Sequence, residues 1–138
     1  SIQKTYFSFV EGRMEKQEGS IELPMGRSRS DFRQFTTGAD ARGTLHKAET
    51  HFRVLKKGSK YSLLELSPKT GRTHQLRVHM KALGHPIVSD KRYSSNLALG
   101  FKRVALHAAK LEFTHPNGTR MTLEAPLPAD FEAAKSLL

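Results

Sequence analysis

A chain of 138 residues with 37% hydrophobic and 26% charged content suits one domain with a real hydrophobic core and excludes a disordered tail. No apolar run approaches the roughly 18 residues of a membrane-spanning helix, and the absence of cysteine excludes disulfides and thiolate metal sites. Lys and Arg number 23 against 13 Asp and Glu, so the net charge is +10 and points to a polyanionic partner, with a soluble basic domain as the plain alternative.

The first residue is Ser1, and the start of the chain lacks an apolar segment followed by a small-residue cleavage site. A piece of a longer cytoplasmic protein is the expectation. Aromatic and β-branched types at residues 6–10 predict a strand closed by Gly12. Ser20-Ile21-Glu22-Leu23 predicts a short strand ended by Pro24. Residues 27–43 are polar, with glycines and little periodicity, and predict a long, mobile loop. Ala48, Thr50, Phe52 and Val54 alternate with Lys47, Glu49, His51 and Arg53, as one half-buried strand requires. Lys57-Gly58-Ser59 turns the chain into a second strand over residues 61–66, where the alternation is imperfect.

Gly71 and Gly84 bracket a predicted helix, with Thr73 as its N-cap and Gly84 as its left-handed C-cap. Leu76, Met80 and Leu83 supply its apolar face, and Arg77 and Lys81 project elsewhere. Residues 94–100 read as a loop. Residues 106–113 and 120–124 form a hairpin through His115-Pro116-Asn117-Gly118, and Pro128 opens a last helix with Phe131, Ala134 and Leu138 on one side. The sum is a single α+β domain: a mostly antiparallel mixed sheet with a few helices.

Residues 69–103 hold eight basic side chains and one acid, Asp90, so +7 of the net charge lies in a quarter of the chain. Within it, Thr70-Gly71-Arg72-Thr73-His74-Gln75 crowds donors at a helix start, where anions are favoured. Arg77, one turn deeper, suits a two-pronged pair with a carboxylate. Arg27, Arg29 and Arg33 with Phe32 and Phe35 either grip RNA by charge and stacking or form a solvated loop anchored by two phenylalanines. His74 and His79 are five apart and off a common helical face, so no metal site is expected. No phosphate-binding glycine fingerprint or nucleophile elbow is present.

The stretch 70–79, followed by Ala82-Leu83-Gly84-His85-Pro86-Ile87-Val88-Ser89-Asp90 and Tyr93, resembles the signature of the RluA family of pseudouridine synthases. Lys4-Thr5-Tyr6 and Val10-Glu11-Gly12 resemble that family's Lys-x-Tyr motif and the Gly that follows it, and Leu106-His107-Ala108 with Glu124-Ala125-Pro126-Leu127-Pro128 resemble its last strands. Ser89 departs from the family's usual glycine. The resemblance implies the C-terminal part of a pseudouridine synthase catalytic domain, acting on ribosomal or transfer RNA without metal or organic cofactor. It implies that Tyr6 stacks on the target base and that Arg77 pairs with the catalytic Asp of a His-Arg-Leu-Asp motif. That motif is expected ahead of Lys4 and does not occur in these residues, so the chain alone is expected to be inactive. Arg72, Thr73, His74, Gln75 and Lys81, with Arg27, Arg29 and Arg33, are the expected RNA contacts. On charge alone, a non-catalytic RNA-binding module serves equally well.

Overall fold

The computed structural model describes residues 2–31, 33–93 and 95–138. In chain order its elements are β1 (Ile2–Glu11), β2 (Glu18–Ile21), β3 (Met25–Ser28), β4 (Phe35–Thr37), β5 (Ala41–His46), β6 (Thr50–Lys57) and β7 (Tyr61–Pro68). Then follow α1 (Gln75–Ala82), β8 (Leu106–Thr114), β9 (Arg120–Glu124) and α2 (Ala129–Lys135). One six-stranded sheet runs β2-β6-β7-β1-β8-β9, and a smaller sheet runs β4-β3-β5. Each pairing between these strands is antiparallel, as expected for the α+β class.

Alternation places the core. Ala48, Thr50, Phe52 and Val54 are all buried, while Arg53 faces water. The central strands β1 and β7 bring Phe9, Val10, Leu63, Leu64 and Leu66 into one cluster with Phe101 and Phe131. Phe131 of α2 packs at 5.3 Å from Phe9 and 5.1 Å from Phe101 between ring centroids. Each such side chain contributes about 1.5–3 kcal/mol by leaving water. Strand β1 is longer than its aromatic stretch suggests because β8 and β7 pair along both of its edges.

The expected mobile loop at 27–43 is instead largely ordered as the small sheet. Its strands are short, and Met25/Arg27 carries a register shift, so no period-2 signal survives in the sequence. The sheet is held by a second core: Met25, Ala48, Val78 and Tyr93, with Phe35 against them. Phe32 lies outside the described residues.

Helix α1 sits between the two cores. Leu76 and Met80 enter the main one and Val78 the smaller one. Leu83, assigned to the apolar face from spacing, is the C-cap just beyond Ala82 and is 40% exposed. Its end is a Schellman motif: the Gly84 N–H donates to Lys81 O and the His85 N–H to Met80 O, with Gly84 at φ 88°. The start also differs from expectation. Thr73 is not the cap; His74 holds that position at φ 56° and makes no side-chain capping bond.

His79 is fully buried on α1 and ties three segments together. Its Nε2–H donates to Leu23 O at 2.9 Å, and Nδ1 accepts from Thr50 Oγ1 at 2.8 Å. Burial, only partly offset by the Leu23 carbonyl, holds the imidazole below its ordinary value of 6.5. The unfolded chain therefore binds the proton more readily than the folded one. Stability from this group is complete above the unfolded value and is lost as pH falls through the folded one. Unfolding free energy should decline between about pH 7 and pH 5, and the decline should be flatter in His79→Gln. An equal slope in the variant, measured by urea denaturation, would remove His79 as its source.

Candidate active site

The segment after α1 is laid against the end of β1. The Val88 N–H donates to Phe9 O and the Glu11 N–H to Pro86 O, each at 2.9 Å. This brings Asp90, fully buried, beside the helix. Asp90 meets Arg77 in a two-pronged pair: Nε to Oδ2 at 2.8 Å and Nη2 to Oδ1 at 2.9 Å. The guanidinium also lies 5.0 Å from the centre of the Tyr93 ring. The Asp90 hydrogen bonds raise the pKa of Arg77, so it stays charged. Its third nitrogen, Nη1, has no hydrogen-bond partner among the described residues, and the side chain is 21% exposed.

Gln75 builds the turn ahead of the helix. Its Oε1 accepts from Thr70 Oγ1 at 2.6 Å and from the Arg72 N–H at 3.1 Å. Its Nε2 donates to Glu49 O at 2.8 Å and Thr50 Oγ1 at 3.0 Å. All its hydrogen-bonding capacity is used, and it is 4% exposed. The expectation of Gln75 as an RNA contact is therefore replaced by a structural role. His74 is held by Tyr93, Nδ1 to Oη at 2.7 Å, with Phe35 and Tyr93 edge-on to its ring. Burial, then the nearby Arg77 charge, lowers the pKa of His74, so the ring is neutral at neutral pH.

Arg77, His74, Arg72, Lys4 and Tyr6 line one cleft of about 300 Å³, with Leu106 at its wall. Tyr6 reaches it from β1. The β1–β8 register shifts between Thr5 and Tyr6, a bulge that re-aims the side chain beside it. No carboxylate lines this cleft. It offers a ring face, a phenol, a neutral imidazole and three cations, which suits a planar base, a phosphate or an incoming carboxylate.

The other expected contacts divide. Arg72, Thr73 and Arg27 line a neighbouring cleft. Arg29 donates to Ala41 O and Arg33 pairs with Asp31, and neither lines any of the clefts described here. Lys81 is exposed one turn beyond Arg77 but lines neither cleft. The sequence reading missed the Asp90–Arg77 contact, since the partners are thirteen positions apart and no local spacing signals it. No group of three or more His, Asp or Glu side chains among the described residues is placed to hold a metal ion.

Fold and site together define an α+β domain with a cationic cleft bearing a tyrosine from its central strand and an arginine from its helix. Residues 1–82 match the family model described as RNA pseudouridylate synthase. The chain belongs to that family. It is 38% identical over 131 residues to the uncharacterized RNA pseudouridine synthase YlyB of Bacillus subtilis, covering 94% of this chain and 42% of that protein. It is 37% identical over 145 residues to ribosomal large subunit pseudouridine synthase D of Nitrosomonas europaea, covering 96% and 40%. Among solved structures, human RNA pseudouridylate synthase domain containing 1 superposes with a TM-score of 0.83 at 29% identity, over 92% of this chain and 55% of that one. The chain thus spans about two fifths of the length of these curated relatives.

Removing one partner of a buried pair leaves an uncompensated charge. Asp90→Ala should therefore lose about 3–5 kcal/mol of unfolding free energy. The exposed Arg103–Asp130 pair, at 3.1 Å, is the comparison. Asp130→Ala should lose less than about 1 kcal/mol. Equal losses in denaturant titrations would contradict the weight given to Asp90.

Proposed function

We propose that the protein containing this chain is an RluA-type RNA pseudouridine synthase, which isomerises specific uridines in ribosomal or transfer RNA. The observation that carries this reading is the meeting of Tyr6 and Arg77 in one acid-free cleft. In this reaction the bond between the sugar and the uracil nitrogen breaks, and a new bond forms from the same sugar carbon to a ring carbon. The ring carbon loses its proton and the nitrogen gains one, so atoms balance without an external oxidant or cofactor. Reaching those atoms requires the base to leave its stack, and the Tyr6 ring offers a face to receive it. The free Nη1 edge of Arg77 is available to a carboxylate brought by a His-Arg-Leu-Asp segment, which these 138 residues do not contain. A guanidinium beside that carboxylate keeps it ionised. On this reading the 138 residues alone do not turn over, and the whole protein works in the cytoplasm, where such RNA is found.

The acid-free cleft also suits a second reading, a non-catalytic RNA-binding module. The two part on one experiment. In the complete protein, Arg77→Ala should reduce pseudouridine formation by about a hundredfold or more, with RNA affinity changed only a few-fold. Total RNA from cells lacking the gene is the substrate, and chromatography of digested RNA is the readout. Unchanged turnover in the variant removes Arg77 from the mechanism, and no turnover by the complete unsubstituted protein favours the binding module.

A further inference from the structure

A second cleft, of about 610 Å³, opens between the small sheet and the turn at residues 71–73. Its charged lining is Arg27, Arg42 and Arg72, with His46 beside them and no Asp or Glu. Arg27 and Arg42 are register partners across β3 and β5. Side chains directly opposite on an antiparallel pair share one face, and like charges there are destabilising. Two acids of this segment are engaged elsewhere. Asp31 is paired to Arg33, and Asp40 accepts from Ser28 and Ser30, whose hydroxyls hold its carboxyl below the ordinary range. The Arg42 side chain has no hydrogen bond or ion pair among the described residues.

The other two arginines are braced. The Arg27 guanidinium lies 4.8 Å from the centre of the Phe35 ring. Arg72 is anchored by Nε to Lys47 O at 2.8 Å. Gly71 and Arg72 line both this cleft and the one holding Tyr6 and Arg77, so the two are contiguous. A cavity of this size holds a nucleotide, and three guanidiniums without a carboxylate suit a phosphodiester.

We propose that this cleft is a phosphate clamp for a nucleotide flanking the target uridine, with Arg27, Arg42 and Arg72 closing on its backbone phosphate. The proposal rests on the RNA reading above and adds a subsite to it. An anion between Arg27 and Arg42 turns their mutual repulsion into shared attraction. Removing Arg42 should therefore weaken RNA binding without costing stability.

The test uses the complete protein and a short single-stranded oligouridylate, with affinity measured over a range of KCl concentrations. Arg42→Gln should weaken binding several-fold and reduce the slope of log affinity against log salt by about 0.7, one phosphate contact in a single strand. Its urea midpoint should equal or exceed that of the parent. Lys60→Gln, at the exposed hairpin turn between β6 and β7, should leave slope and affinity unchanged. An unchanged slope in Arg42→Gln, an equal loss in Lys60→Gln, or a lowered urea midpoint in Arg42→Gln overturns the clamp while leaving the RNA reading intact. Absence of salt-dependent binding by the unsubstituted protein overturns both.

Discussion

Asp90 has no contact with solvent, and its charge is balanced inside the protein by the fork of Arg77. That pair decides how the rest of the site is arranged. Two of the three guanidinium nitrogens are committed to Asp90, and the plane is set over Tyr93. The third has no hydrogen-bond partner among the described residues, and Arg77 lines the same cleft as Tyr6. A long, flexible cation becomes a fixed one, with its conformational entropy already lost on folding. Tyr93 extends the arrangement outward: its hydroxyl accepts from the Phe35 N–H and meets His74 Nδ1, so helix, turn and small sheet are joined at one ring.

Much of the fold was legible because it follows local rules. The alternation at 48–54, the Asn-Gly turn before Gly118, the Pro128 helix start and the Gly84 stop all appear where the residues place them. The small sheet was not legible. Its strands are three to six residues long, so their order comes from packing on Ala48 and on Val78 and Tyr93, the last two far along the chain. Ser89, the departure from the resembling family's glycine, illustrates the other limit. Its φ of 64° is the left-handed region where glycine is favoured, and serine is held there by a hydroxyl that donates to Phe101 O and accepts the Ala98 N–H.

Of the candidate site, residue identities were legible and partnerships were not. Tyr6 and Arg77 do share a cleft. Gln75 proved to be the builder of the turn, and Asp90 proved to be the partner of Arg77; both follow from long-range contacts that no spacing encodes. The charge excess resolves in the same way. Arg33, Arg53 and Arg103 are paired with carboxylates on the surface, whereas the cations of the two contiguous clefts, Arg77 with its buried Asp90 included, face linings without acids. Net charge alone cannot distinguish these two populations.

The dependence of Arg77 on Asp90 is most directly tested by a double-mutant cycle on turnover. In the complete protein, kcat for pseudouridine formation would be compared among the parent, Arg77→Ala, Asp90→Asn and the double variant. If Asp90 acts only by fixing Arg77, the double variant should be no slower than Arg77→Ala alone. Losses that multiply, as for independent sites, would contradict the account.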